Sequence, residues 1–329
     1  MSDKTSVLET SGRTPLLCDI SWREGENDQA EAIFRKVRRS NLIQSLTYGK
    51  VMAKLNYQRL IRGVITMEGR EAGMIQVLEA GLFGNAIHAA LIDRGPLWLD
   101  PYGTPEHIAA FTNVLRTAYP KRPGRRIRFI PECADTPRNR ETLEKQGFRK
   151  KSEPYHTLWW NILRSNEELR SGLKKSWRGS LVKAERSNVC VSWDEKGESL
   201  QRFVEHYKED RQKRNYNGPK PYVLLSLAQA FLHRKNALIG CASLDGKPLA
   251  GVLIFCHGKS ATYQAGWTTR SGRESCAHHL LLWNAALKLK ERDINEIDLG
   301  GVEPEQGSGI RTFKQGTGGT PVRTPGLWI

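Results

Sequence analysis

The sequence predicts an α/β (α+β) chain of two tandem units, each a mixed, mostly antiparallel sheet flanked by helices. Three observations carry that reading. Segments with apolar residues at helical spacing alternate with segments of period two, antiparallel meanders bounded by turn residues occur twice, and residues 15–163 and 164–329 run through the same order of elements. The 329 residues, 39% of them hydrophobic, suffice for two cores of ordinary size. Residues 1–14 are polar and are expected to form a flexible N-terminus.

In the first unit LLCDISW (16–22) reads as a strand, and DQAEAIFRKVRRS (28–40) as a helix with Ala30, Ile33, Phe34 and Val37 on one face. Strands at 58–67, 71–79 and 86–93 are separated by Glu68-Gly69 and Gly84-Asn85, as an antiparallel meander requires. A helix at 104–118, a strand at 126–130, a helix at 137–146 and a strand at 157–162 are expected to close the unit.

The second unit opens with a helical pattern at 165–187 and a strand at 189–193. Helices at 197–214 and 222–233 are split by the Asn217-Gly218-Pro219 turn. Three strands follow at 237–244, 248–257 and 260–267. The segment GCASLDGKP (240–248) has glycine spacing one residue too long for a phosphate-cradling loop, and Asp245-Gly246 between alternating runs is a hairpin turn. Leu280, Trp283 and Leu287, beside Leu281 and Ala285, give the next helix a broad apolar face. Past Arg292 the period changes: Ile297 and Leu299 alternate with polar residues in a strand that Gly300-Gly301 ends. Ser308 is placed to cap a short helix through Lys314, and Gly316 to end it in the left-handed conformation.

A formal charge of +16 predicts attraction to a polyanion: RNA, DNA, a nucleotide sugar or an anionic membrane surface. Residues 116–151 hold twelve Lys or Arg and four Asp or Glu, half of the whole excess. The six cysteines, at 18, 133, 190, 241, 256 and 276, show no metal-binding spacing and are expected to be reduced, buried thiols. No apolar stretch has the length of a signal peptide or a membrane span, so the expected location is the cytoplasm, with peripheral contact at the inner membrane face. HExxH, paired CxxC, GxSxG and post-strand GxGxxG patterns are all missing. Zinc hydrolysis, acyl-enzyme hydrolysis and dinucleotide redox therefore lack their usual marks, while direct transfer of an activated acyl group to an amine needs none of them.

Strand, double glycine, short helix and lysine, carried by Asp298, Leu299, Gly300, Gly301, Phe313 and Lys314, resemble the C-terminal segment of the Fem family of non-ribosomal peptidyltransferases. Gln44, Ser45, Tyr48 and Gly49 look like the Gln-Ser-aromatic-Gly element of that family's first domain, with Tyr48 where tryptophan is usual, and RGPLW (94–98) looks like its RGP segment. RSGLKKSWRGSLVKAERSNV (170–189) is similar to its basic helix, through Lys174, Lys175, Arg178, Lys183, Ala184 and Glu185. Each half resembles a GNAT acyltransferase unit, and the Fem family is built from two. Residues 197–235 are too short for the long helical arm of some members, which fits the compact type.

The resemblance implies transfer of an aminoacyl group from aminoacyl-tRNA, a co-substrate rather than a bound cofactor, to an amine of a nucleotide- or lipid-linked muropeptide or another amine acceptor. By the same resemblance Lys314 stabilises the oxyanion or the terminal phosphate. Asp298 is the better-placed candidate base, ahead of His278 and His279, which are expected at the surface. Gln44, Ser45, Tyr48, Arg178, Lys183, Arg270 and Phe313 are the expected substrate-binding residues, and Trp159, Trp160, Tyr216, Tyr263 and Trp267 are candidates for stacking on a base. Single-domain GNAT enzymes cradle coenzyme A pyrophosphate in an R/Q-x-x-G-x-G/A loop. Here RSGRESCAHH keeps Arg270 but has Arg273 and Ser275 where the glycines belong, and RGPLWLDPYG has a proline, which disfavours acetyl-coenzyme A. A non-catalytic RNA-binding protein is the third alternative.

Overall fold

Residues 16–302 and 308–329 are described by a computed structural model. The first half comprises β1 (Cys18–Glu24), α1 (Asp28–Lys36), α2 (Leu46–Leu55), β2 (Arg59–Met67), β3 (Arg70–Leu82), β4 (Ile87–Asp93), β5 (Leu97–Trp98), α3 (Pro105–Ala118), β6 (Arg125–Ile130) and α4 (Pro137–Lys145). Side-chain oxygens start the helices where the sequence offers them: Asn27 accepts from the Ala30 amide, Ser45 from that of Tyr48 and Thr136 from that of Asn139. The strands order as β1-β2-β3-β4-β6, with β5 on β3; β4 and β6 are parallel and the rest antiparallel. Helices α3 and α4 cover one face through Phe111, Leu115 and Leu143, and α1 covers the other with Ile33 and Phe34.

The second half comprises β7 (Tyr155–Asn161), α5 (Asn166–Gly172), α6 (Lys175–Glu185), β8 (Cys190–Asp194), α7 (Leu200–Arg214), α8 (Pro221–His233), β9 (Ala237–Leu244), β10 (Lys247–His257), β11 (Ser260–Thr268), α9 (Arg270–Glu274), α10 (Ala277–Lys290), β12 (Glu296–Gly301), α11 (Ser308–Gln315) and β13 (Thr320–Thr324). Its sheet runs β13-β7-β12-β11-β10-β9-β8, and only β11 and β12 are parallel among the described strands of that sheet. Helices α6 and α10 pack on one face, and α7 and α8 on the other. Asp245 and Gly246 form the expected hairpin turn, both at positive φ.

One expectation is corrected. The strand expected to close the first unit, β7, pairs with β12 and β13 in the second sheet. The sheets therefore part between β6 and β7. Its run of Leu158, Trp159 and Trp160, all buried, needs cover on both faces, which a central strand has and an edge strand lacks.

The C-terminal residues return the exchange. Beyond β13 the chain crosses back, and Trp328 bridges Phe129 of β6 through an amide donated at 2.7 Å and one received at 2.9 Å, while Ile329 and Arg149 exchange bonds of 2.8 and 3.0 Å. The Trp328 side chain is completely buried in the first core. Each half thus holds a segment of the other. Trp328→Ala is expected to lower the unfolding free energy by about 3–5 kcal/mol, the usual cost of emptying an aromatic core site. A urea melt with an unchanged midpoint would show the interlock to be incidental.

Candidate active site

The two parallel pairs differ in a way that makes a site. In the first half β4 and β6 stay paired over six rungs, from His88 and Arg125 to Asp93 and Ile130. In the second, β11 and β12 pair only at Ser260, Ala261 and Thr262 with Glu296, Ile297 and Asp298, although β11 continues to Thr268 and β12 to Gly301. Beyond those rungs the strands part, leaving backbone groups without a ladder partner on the facing edges.

Side chains from three elements ring the mouth of that gap. Tyr263 is the first residue of β11 past the last rung, and its hydroxyl lies 2.9 Å from Nε2 of His278. Phe313 of α11 sets its ring 5.3 Å from that of His278 and 5.0 Å from that of His279. Lys314, next in sequence, donates from Nζ to the Gly301 carbonyl at 2.7 Å. Gly300 takes a left-handed φ of +75°, which favours glycine, and an added Cβ would meet Nζ only at an ordinary contact distance of 3.6 Å. The expectation for the histidines is corrected, since both are half-buried. Burial, with the neighbouring His279, pushes His278 down to about 4, so both rings are neutral at physiological pH; for His279 burial alone brings the value to about 4.

Lys314 is half-buried, and burial lowers its ammonium to about 8 against the opposing pull of Asp298. Among the described residues one carbonyl is its hydrogen-bond partner, and an ammonium carries three donors. Two donors therefore have no hydrogen-bond acceptor among the described residues. An incoming carbonyl oxygen or phosphate completes such a group.

Asp298 has another part. One of its oxygens takes the Thr157 hydroxyl and the Gly300 amide, and the other takes Arg94 Nη1 at 2.9 Å. Burial pushes its carboxyl up, but the Arg94 charge and the Thr157, Arg94 and Gly300 hydrogen bonds outweigh it, so it is held below the ordinary carboxylate range. A carboxylate so committed is a poor proton acceptor, and the expectation of a base is corrected to that of an anchor. Arg94 forks to Glu132 as well, at 2.9 and 3.0 Å, and thereby ties the end of β4 to β12 across the junction of the halves. Arg39 makes a parallel tie to Glu296 at 2.6 and 2.7 Å.

The Gln-Ser-aromatic element also serves the frame. Where β3 and β4 cease to pair, the Gln44 amide fills the space, donating to the carbonyls of Gln76 and Asp93 at 3.2 and 2.8 Å and accepting the Gln76 amide at 2.7 Å. It acts as a ladder rung made from a side chain, buried and saturated, so its expected contact with substrate is corrected. Gly95 permits the approach, because a Cβ there would stand 2.8 Å from the Gln44 amide. Ser45 caps α2 and donates to the Leu42 carbonyl at 2.6 Å. Tyr48 packs on the cluster that α7 and α8 build, with burial pushing its hydroxyl up to about 12.

The basic helix lies where it bears on Lys314. The Lys174 amide donates to the Gly316 carbonyl at 2.9 Å, and Trp177 presses against Gly316, where a Cβ would stand 2.3 Å from its ring. This corrects the role expected of Gly316: close approach demands the glycine, and Gly318, at φ +76°, takes the left-handed position. Helix α11 is described from Ser308 to Gln315, and the capping role expected of the Ser308 side chain lies outside the described residues. Lys174, Lys175 and Arg178 open α6 beside α11, with Arg178 bonding the Ser171 carbonyl at 3.2 Å, while Lys183 is exposed further along. Arg270 is exposed and paired with Glu274 at 3.1 Å.

Of the stacking candidates, Trp159, Trp160 and Trp267 are core residues, whereas Tyr216 and Tyr263 are half-buried. Burial and the Asp210 charge raise both hydroxyls. Sequence reasoning passed over Asp210, for which a polar position near a helix C-terminus gave no signal. The cysteines divide similarly: Cys256 is buried, Cys190 exposed and the others half-buried. A cavity of about 640 Å³, lined by Ser45, Thr47, Arg234, Lys235, His257 and Arg292 among others, sits at the end where β11 begins and takes no part in the gap.

Two mixed sheets in tandem, the second parting at its parallel pair, define an acyltransferase-type (GNAT) architecture. Residues 171–315 match the family model described as an acetyltransferase (GNAT) domain. Among solved structures, that of FemX superposes with a TM-score of 0.77 at 14% identity, over 94% of this chain and 96% of that one. A conserved protein of unknown function from Bacteroides thetaiotaomicron gives 0.59 at 13% identity over 92% and 94%. A tandem GNAT protein from the clavulanic acid biosynthesis pathway gives 0.50 at 12% identity over 94% and 98%. No curated protein matches by sequence. The chain has the Fem-like tandem GNAT fold, and the match to the GNAT domain model lies in its second half. No helix among the described residues is long and apolar enough to cross a membrane.

Proposed function

We propose that the chain is a cytoplasmic aminoacyltransferase that moves an aminoacyl group from aminoacyl-tRNA to an amine of a peptidoglycan precursor or related peptide, without a bound cofactor. The observation that carries this reading is Lys314: a half-buried ammonium with one acceptor among the described residues, at the mouth of a strand gap, beside the cationic start of α6. Lys174, Lys175 and Arg178 suit a tRNA acceptor arm, whose phosphates each add a salt-dependent increment of binding.

The acceptor nitrogen attacks the ester carbonyl at the 3′ end, and the carbonyl oxygen becomes an oxyanion against the Lys314 ammonium. Collapse breaks the bond to the ribose oxygen as the amide forms. The proton shed by the nitrogen passes through the Tyr263 hydroxyl, which neutral His278 orients, to the leaving ribose oxygen. Incubation with mixed charged tRNAs carrying labelled amino acids, and a panel of muropeptide nucleotides, is expected to move label from one tRNA into one acceptor. Release of label without a product would mean hydrolysis and would end this reading.

A second reading, N-acyl transfer from acyl-coenzyme A, is favoured by the match of residues 171–315 to an acetyltransferase domain. Against it, Arg273 of α9, just before α10, bonds the Thr268 carbonyl at 2.8 Å, and a Cβ at Gly272 would stand 2.2 Å from the Leu249 carbonyl oxygen, so that glycine serves packing. Saturable binding of coenzyme A by calorimetry would move the assignment to this class.

A further inference from the structure

The hairpin joining β3 and β4 ends in three apolar side chains given to water: Leu82 is 62%, Phe83 82% and Ile87 54% exposed. Tyr57, just before β2 at the same end of the sheet, is 96% exposed. The turn itself is costly. Phe83, Gly84 and Asn85 have φ of +52°, +62° and +69°, a region that glycine and asparagine enter readily and phenylalanine does not. An aromatic ring held in a strained backbone and left in solvent gains nothing from its own fold, which points to a use outside it.

Cations surround this tip. Arg122 donates to the Asn85 and Ala86 carbonyls and so stiffens the turn, and Arg125 opens β6 directly beside His88 of β4. Lys121 and Arg126 are exposed at the same end. None of these four is ion-paired among the described residues, whereas Glu24 and Glu79, the acids at that end, are both paired with Arg59.

We infer that the β3–β4 tip docks the protein on an anionic lipid surface, Leu82, Phe83 and Ile87 entering the acyl boundary while Lys121, Arg122, Arg125 and Arg126 meet the lipid phosphates. Apolar insertion with a cationic rim is the chemistry of interfacial binding. RNA would use the cations and the Phe83 ring, but Leu82 and Ile87 offer it no stacking face. The seven residues of β4 separate the tip from the Arg94 junction by about 20 Å, so docking leaves the strand gap open. The inference holds whichever acyl donor the protein uses.

Flotation with vesicles of phosphatidylcholine containing about one quarter phosphatidylglycerol tests it. The full chain is expected to float with these vesicles and to remain behind with phosphatidylcholine alone. The double variant Leu82→Ser, Phe83→Ser is expected to lose about tenfold or more in vesicle affinity with an unchanged melting temperature. Arg126→Glu is expected to lose about fivefold or more and to flatten the dependence of vesicle affinity on salt. Absence of flotation, equal binding to neutral vesicles, or a double variant that loses tRNA binding while keeping its vesicle affinity would each overturn the proposal. Transfer to a soluble muropeptide by the double variant should equal that of the parent, which separates failure of docking from failure of the catalytic reading.

Discussion

Lys314→Ala is expected to lower turnover by about 10²–10³-fold, the loss seen when one oxyanion donor is removed from an acyl-transfer site. Binding of tRNA should be nearly unchanged, because the α6 cations remain. The pH dependence gives a second reading of the same group. Burial holds the ammonium at about 8, so the cation is present below that value and lost as pH rises through it. The transfer rate of the parent should therefore fall above about pH 8, and Lys314→Ala should lack that limb. Stability should move the opposite way: the fold bears the cost of a buried cation below about 8, and the cost disappears between there and the ordinary value of 10.5. Lys314→Ala should accordingly not melt earlier than the parent at neutral pH. Single-turnover transfer across pH and thermal melts read both effects, and undiminished turnover removes Lys314 from the mechanism.

Arg94→Ala is expected to destabilise the protein by about 3–5 kcal/mol, since it leaves the buried carboxylate of Asp298 and the half-buried one of Glu132 without their shared counter-charge. Adding Asp298→Asn should recover part of that loss, and the double-mutant cycle gives the coupling. The sign with pH follows from the depressed Asp298 carboxyl. Its contribution is present above the ordinary value of 3.8 and is lost as pH falls through its lower folded value. The parent should keep this tie into mild acid, and the Arg94→Ala variant should have none to lose. Equal urea midpoints for parent and variant would show that the junction rests on packing alone.

Asp298, Gly300, Gly301, Phe313 and Lys314 could be singled out in the sequence because a strand, two glycines and a short helix each leave a local pattern. Gln44 could be singled out too, but not for its role. Its amide bonds Gln76 and Asp93, thirty-two and forty-nine residues away, and nothing local distinguishes a side chain that completes a ladder from one that meets a ligand. The same holds for Arg94, legible as part of an RGP segment, whose partners lie in Glu132 and Asp298. His278 and His279 read as surface residues because a helix start is usually exposed; Phe313 and Trp177 cover them.

By itself the sequence determined most of the helices and strands, though not α2, α9, β13 or the break between α5 and α6, together with the strongly cationic character and the lysine after the double glycine. These depend on side-chain period, turn chemistry and charge, all of which act over a few residues. Only the tertiary structure decided that β7 joins the second sheet, that Trp328 returns to the first, and that β11 and β12 part where Tyr263, His278 and Lys314 meet. Strand partners are chosen by buried area and hydrogen bonds between segments distant in the chain, and no local period records that choice.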